Sequence, residues 1–287
     1  MHGYVYGNIN LPDTITWTVG LSVDDFEEDQ VEVSKVNPKL GVRWDVTNDL
    51  SLRAAVFRTV KPPLVANRTI EPTQIAGFNQ FFDDGNGDEA WRYGVGVDWR
   101  VTNELFVGAE ATWRDLKVPV VGAGVAFEDQ NEQLDRVYLN WTPVPELALS
   151  AEFVYDKFDT GEGFATDAGG GVPTDVETFS VPLAARYFHP SGFFAGVGVT
   201  YVNQDVKRTA TALAQGFSEG QDNFVVVDAA IGYRFPDRFG AVSLEVNNLL
   251  DEEFEYQDDS FREFKDEPST GPYTPDLQVV GRLTLNW

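Results

Sequence analysis

The sequence predicts an all-β protein, an antiparallel transmembrane β-barrel of which about 13–14 strands are visible. Three observations predict it. Strands with two unlike faces recur along the chain. Aromatic residues gather near both ends of those strands, and short turns alternate with long loops. The last strand shows the first pattern most clearly. Leu277, Val279, Gly281, Leu283, Leu285 and Trp287 fall on one face, and Gln278, Val280, Arg282, Thr284 and Asn286 on the other, because a strand alternates its side chains. No run of about 18 apolar residues, as a membrane helix needs, occurs. A barrel strand needs only about 9–11 residues, half of them apolar.

Three stretches define the repeating unit: 41–52, 96–105 and 138–147. Each is an alternating strand, a Trp, a tight polar turn and a second alternating strand. The turns at 189–192 and 236–240 repeat the pattern behind Tyr187 and Tyr233. Asn, Asp, Pro and Gly supply the turn geometry. The other connections are expected to be long loops at 25–36, 61–88, 116–131, 158–175, 205–221 and 252–275. Short turns at one rim and long loops at the other are the asymmetry of outer-membrane barrels.

Trp44, Trp99, Trp141, Tyr187, Tyr233 and Trp287 share the apolar face near the short-turn rim. Tyr93, Trp113, Tyr155, Phe179 and Tyr201 share it near the long-loop rim. Two belts at two depths match two membrane–water interfaces. The alternative, aromatic packing inside a β-sandwich, would not sort rings to strand ends. The opposite faces carry Arg43, Asp45, Asp98, Arg100, Glu110, Arg114, Glu152, Asp156, Arg186, Asp228, Arg234, Glu245 and Arg282. A dry core would not tolerate these charges, whereas a lumen would. Gly94, Gly96, Gly196, Gly198 and Gly232 share that face and leave room for a loop or plug to approach.

The formal net charge is -25, with 46 acidic against 21 basic residues. Nucleic acid is therefore excluded as an expected partner, since its affinity comes from Lys and Arg meeting phosphates. Cysteine is absent, which removes disulfides and thiolate chemistry. His2 and His189 are the two histidines. His189 lies in a short turn and His2 at the ragged N-terminus, so no base is placed to activate a serine, and no enzyme is expected.

The loop bearing Asn79, Gln80, Phe81 and Phe82, and the loop 256–273 with Arg262, mix aromatics with amides and charges. Such mixtures suit an external ligand and suit packing of a loop on other loops equally. Asp84, Asn86 and Asp88 place oxygens at alternate positions, like the start of a calcium loop, although Glu89 stands where such a loop has glycine. Calcium is a weak candidate here; no other cofactor is expected. The tract Gly169-Gly170-Gly171 is expected to be a loop tip, not a phosphate cradle.

The segment Asn247-Asn248-Leu249-Leu250-Asp251-Glu252-Glu253-Phe254 resembles the N-L-x-D-x-x-Y/F signature found before the last strand of TonB-dependent receptors. The final strand, with its terminal aromatic, is similar to the signal read by the barrel-assembly machinery. Residues 71–84 resemble a loop of receptor-like barrels attached to tetratricopeptide-repeat regions. The resemblance implies ligand uptake across the Gram-negative outer membrane, with lipid, lipopolysaccharide and the assembly machinery as partners. It implies contact with TonB only through a plug domain.

That family carries a plug and about 22 strands, and neither is seen in residues 1–287. Met1–Tyr6 has neither the basic start nor the apolar core of a secretory signal. Strand direction counted back from Trp287 places the start of the first strand outside the cell. The chain is thus expected to be one barrel domain, the C-terminal portion of a larger receptor or a truncated product. The alternatives are a passive porin-type or fatty-acid-type channel, and a structural anchor for a periplasmic repeat domain.

Overall fold

The computed structural model describes residues 1–28, 30–63, 69, 71–81, 84–121, 125–168, 171–257, 273 and 276–286. The chain forms β1 (His2–Asn10), β2 (Ile15–Glu28), β3 (Val31–Asp45), β4 (Leu50–Val60), a small hairpin β5 (Gln74–Ile75) and β6 (Phe78–Asn79), β7 (Glu89–Arg100), β8 (Leu105–Val121), β9 (Val125–Val144) and β10 (Leu147–Asp159). Helix α1 (Gly161–Ala168) precedes β11 (Pro173–Phe188) and β12 (Phe193–Arg208). Helix α2 (Ala210–Ala214) precedes β13 (Gly220–Arg234), β14 (Gly240–Asn247) and β15 (Gln278–Leu285). Thirteen strands join one sheet in chain order, skipping only the β5–β6 hairpin. The ladders running from β1 through β4 to β7, and from β11 to β15, are antiparallel, as with Gly41↔Ala55 between β3 and β4 and Ala55↔Gly94 between β4 and β7.

The chain groups into two compact units. The first comprises Met1–Trp99, Gly108–Asp135 and Asp156–Gly169; the second comprises Arg100–Val107, Arg136–Tyr155 and Gly170–Trp287. In each, alternation separates an exposed apolar face from a polar one. On β3, Val36, Leu40 and Trp44 are exposed, while Asn37, Lys39 and Gly41 between them are buried. This inverts the rule for a water-soluble sheet and suits lipid on the apolar side. Trp44, Trp99, Trp113, Trp141, Tyr187 and Tyr201 stand exposed on that face, and Tyr155 and Tyr233 are half-buried beside them. Phe153 and Phe179 meet edge to face at 4.7 Å, and Phe193 and Tyr233 lie tilted to one another at 4.8 Å. Trp287 lies outside the described residues.

Two of the expected long loops are strand. The β2–β3 ladder runs on to Glu28↔Val31, and β8 and β9 extend to Val121 and from Val125. Residues 25–36 read as loop, yet the period-two pattern continues through them: Val31 and Val33 are buried with Val60, while Glu32 and Ser34 are exposed. Two further expected loops contain the short helices α1 and α2. In α2 the Thr209 hydroxyl accepts the Ala212 N–H at 3.2 Å, an N-cap.

Candidate functional site

The β5–β6 hairpin does not project from the sheet but lies on its polar face. Within it Ala76 (φ 49°) and Gly77 (φ 89°) make a tight two-residue turn, the geometry that lets two short strands pair. Ile75 and Phe78 on either side are almost fully buried against Ala55 and Phe57 of β4. The sheet leaves room for them with glycine. A Cβ at Gly41 would lie 2.8 Å from Ile75 Cγ2, and one at Gly94 would lie 2.5 Å from Phe78 Cδ1. Gly94→Val is therefore expected to lower stability by about 1–3 kcal/mol through overpacking. Adding Phe78→Ala should recover part of that loss, a coupling that denaturant midpoints of the double-mutant cycle measure.

Arginines line the seat. Arg53 Nε donates to Asp98 at 2.9 Å and its Nη2 to Glu110 at 2.6 Å, while its guanidinium lies 4.8 Å from the Phe78 ring centre. Phe81 has two cations on its ring, Arg92 at 4.6 Å and Arg114 at 4.9 Å. Arg114 Nη1 reaches both oxygens of Glu132 at 3.0 Å, and its Nη2 donates to Asp84. Cation–ring contacts and forked guanidinium–carboxylate bonds are the strong ones in a dehydrated setting. Of the expected lumen charges, Asp98, Glu110 and Arg114 converge here. Arg53, Arg92 and Glu132 share their face and were legible by strand parity, but sequence reasoning passed over them.

A second knot of polar groups ties Glu71. Its Oε1 accepts from the Tyr6 hydroxyl and lies 3.5 Å from Lys39 Nζ, and its Oε2 is 3.3 Å from His2 Nε2. His2 Nδ1 lies 2.6 Å from Asp24, which also accepts from Asn37 at 2.6 Å. Gln80 donates to Pro72 O at 2.5 Å and to the Tyr6 oxygen at 3.2 Å. Asp24, Asn37, Lys39, Glu71 and Gln80 are all buried. Among the residues expected to face an external ligand, Asn79 is exposed and accepts from Gln74 at 2.9 Å, Gln80 is buried, and Phe81 is clasped by guanidiniums. Phe82 and Arg262 lie outside the described residues.

The three oxygens of the calcium candidate already meet protein donors. Asp84 accepts from Arg114, Asn86 Oδ1 from Lys61 Nζ at 2.8 Å, and Asp88 Oδ2 from the Gly85 N–H at 2.9 Å. Among the described residues no three His, Cys, Asp or Glu side chains converge as a metal site. Burial first, then the neighbouring Asp84 carboxylate, push the Asp88 carboxyl up to about 7, against the opposing pull of the Gly85 N–H, Arg114 and Lys61. Between the unfolded value near 3.8 and about 7, the folded form holds the extra proton. The stability Asp88 contributes is thus full below about pH 4, falls as pH rises and is lost above about 7, a swing of a few kcal/mol. Asp88→Asn is expected to raise the urea midpoint at pH 8 and leave it little changed at pH 5.

In the second unit the turn after β14 explains the resemblance motif. Asn248 is fully buried at φ 49°. Its N–H donates to Asp228 Oδ1 at 2.9 Å, its Nδ2 to Glu252 O at 2.8 Å, and its Oδ1 accepts the Glu252 N–H at 2.9 Å. Asp251 then accepts the Leu277 N–H at 3.0 Å, at the start of β15. The following residues lie back on the polar face: Phe254 stacks on Phe224 at 4.0 Å, and Gln257 exchanges hydrogen bonds with Gln204 at 2.7 and 3.0 Å. The other expected lumen charges are local pairs or exposed. Glu152 accepts from Arg136 at 2.5 Å and Glu245 from Arg282 at 3.2 Å, and Arg234 lies 5.3 Å from the Phe188 ring centre. Arg43, in the first unit, donates to Asp45 at 3.0 Å. Arg100 and Arg186 are exposed.

A family model described as TonB-dependent receptor-like, β-barrel, matches residues 2–117 and 106–249. No curated protein matches in sequence. Among solved structures, the FrpB iron transporter of Neisseria meningitidis shares the fold with a TM-score of 0.68 at 16% identity, over 99% of this chain and 44% of that one. The siderophore receptor PirA of Acinetobacter baumannii gives 0.65 at 15%, over 99% and 45%. The ferric enterobactin receptor of Pseudomonas aeruginosa gives 0.65 at 16%, over 99% and 44%. The chain spans less than half the length of each of the three.

Proposed function

Because the chain belongs to the TonB-dependent receptor-like β-barrel family of the Gram-negative outer membrane, we propose that it forms the wall of a receptor that takes up an external ligand. The family is one of transporters and receptors, not of enzymes. The observation that carries the reading is the polar face: charged residues such as Asp98, Glu110 and Arg114 are held there by ion pairs instead of being displayed to lipid. Three structures of the same fold are named for iron or siderophore uptake, which makes an iron chelate the first ligand to try. Coupling to TonB, contact with lipopolysaccharide and handling by the assembly machinery are parts of the same proposal.

Uptake of labelled iron chelates, cobalamin and glycans by cells with and without the gene tests it. Loss of uptake of one ligand class is the expected result. Unchanged uptake of all of them, with steady ohmic conductance of the purified protein in planar bilayers, would leave a passive channel. Unchanged uptake without conductance would leave a structural anchor.

A further inference from the structure

The residues between Glu71 and Phe81 form a strap across the polar face, and its seat combines two opposed features. One is a close apolar fit. Gly41, Ala55 and Gly94 form one register row across three strands, and Ile75 and Phe78 fill the space above it, with Arg53 beneath the Phe78 ring. The other is poor polar satisfaction. Of seven buried side-chain atoms without a hydrogen-bond partner among the described residues, five lie at this seat: Asn37 Oδ1, Gln80 Oε1, Nε and Nη1 of Arg92, and Glu71 Oε2, which has only its 3.3 Å ion pair with His2 Nε2. Burying two large apolar side chains and leaving these polar atoms without hydrogen bonds are opposing terms of the same order. Ala76 adds backbone strain by holding φ at 49°, a region that favours glycine.

We propose that Glu71–Phe81 is a movable strap that alternates between this seat and a lifted state, in which the row Gly41–Ala55–Gly94 and the faces of Arg53 and Arg92 are bared to water. Glu71 is its latch, through Tyr6, Lys39 and His2. Lifting supplies water to the five unsatisfied atoms and relieves Ala76, while the seat regains the apolar contacts on closure. A local opening of this kind draws on few contacts and leaves the ladders of β3, β4 and β7 intact. The inference stands whether or not the uptake reading holds.

The chain has no cysteine, so Ala55→Cys places a single thiol beneath the strap with little change in volume. In the folded protein in detergent, a small charged thiol reagent is expected to label it without denaturant. Tyr6→Phe, which loosens the latch, is expected to speed labelling at least tenfold. Val202→Cys, also buried but in the second unit, is expected not to respond to Tyr6→Phe. Labelling of Ala55→Cys only at denaturant concentrations that unfold the sheet, or with no response to Tyr6→Phe, overturns the proposal. So does an equal response at Val202→Cys, which would mean general loosening. Hydrogen exchange needs no substitution. The Gln80 N–H, bonded to Thr73 O, is expected to exchange at least a hundredfold faster than the β4 ladder amides, and equal rates overturn the strap.

Discussion

Arg114→Ala is expected to destabilise the protein by about 3–5 kcal/mol, the cost of removing one partner from a buried ion pair. Arg114 is the point at which three elements meet: β8 carries it, Glu132 of β9 accepts from its Nη1, and Asp84, from the segment before β7, accepts from its Nη2. Its side chain is 6% exposed, so water cannot replace it without the site opening. Without it, Asp84, Asp88 and Glu132 lose the guanidinium they share, only Arg92 remains near Asp84 and Glu132, and Phe81 loses one of its two cations. Arg114→Lys keeps the charge but offers a point in place of a fork, and an intermediate loss is expected. Guanidinium midpoints followed by tryptophan fluorescence measure both. The alanine variant should also push the Asp88 carboxyl higher, since Arg114 is one of the groups that hold it down. Loss of less than about 1 kcal/mol in Arg114→Ala would mean that the ion pairs are not dehydrated as the structure places them.

Asn248→Ala is expected to cost about 2–4 kcal/mol, from two lost hydrogen bonds that strand half-buried backbone groups of Glu252 and from an alanine forced to φ 49°. The same denaturant titration separates the two causes. Asn248→Gly removes the bonds but accepts the backbone angle, so it should fall between wild type and alanine. The defect should also reach β15, because the turn that Asn248 closes presents Asp251 to the Leu277 N–H. Faster exchange of the amides of β15 is the expected local signature.

The strands were legible because lipid on one side and charge on the other impose a strict period of two. Within it Trp and Tyr recur at fixed places, and Trp44, Trp99, Trp113 and Trp141 stand exposed on the apolar face. Residues 25–36 misled because acids crowd their first half as in a loop, although Val31 and Val33 keep the period. The site was legible only by halves. Parity put Asp98, Glu110 and Arg114 on one face, but it does not say that Arg53 bridges the first two or that Asp84 holds the third. Those contacts join residues 45, 57 and 30 positions apart, and only register and the path of the strap bring them together. The aromatic and amide mixture at 78–81 was read as fit for a ligand or for packing; the guanidiniums of Arg92 and Arg114 meet Phe81 from the wall.

The row Gly41–Ala55–Gly94 has a consequence for how this chain can vary. Three neighbouring strands withhold side-chain volume at one height, and Ile75 and Phe78 return it from a distant segment. Wall and strap are a mould and its casting. In related chains, positions 41 and 94 should grow larger only where 75 and 78 shrink or the hairpin is deleted. Such correlated change across an alignment would record the contact without any structure.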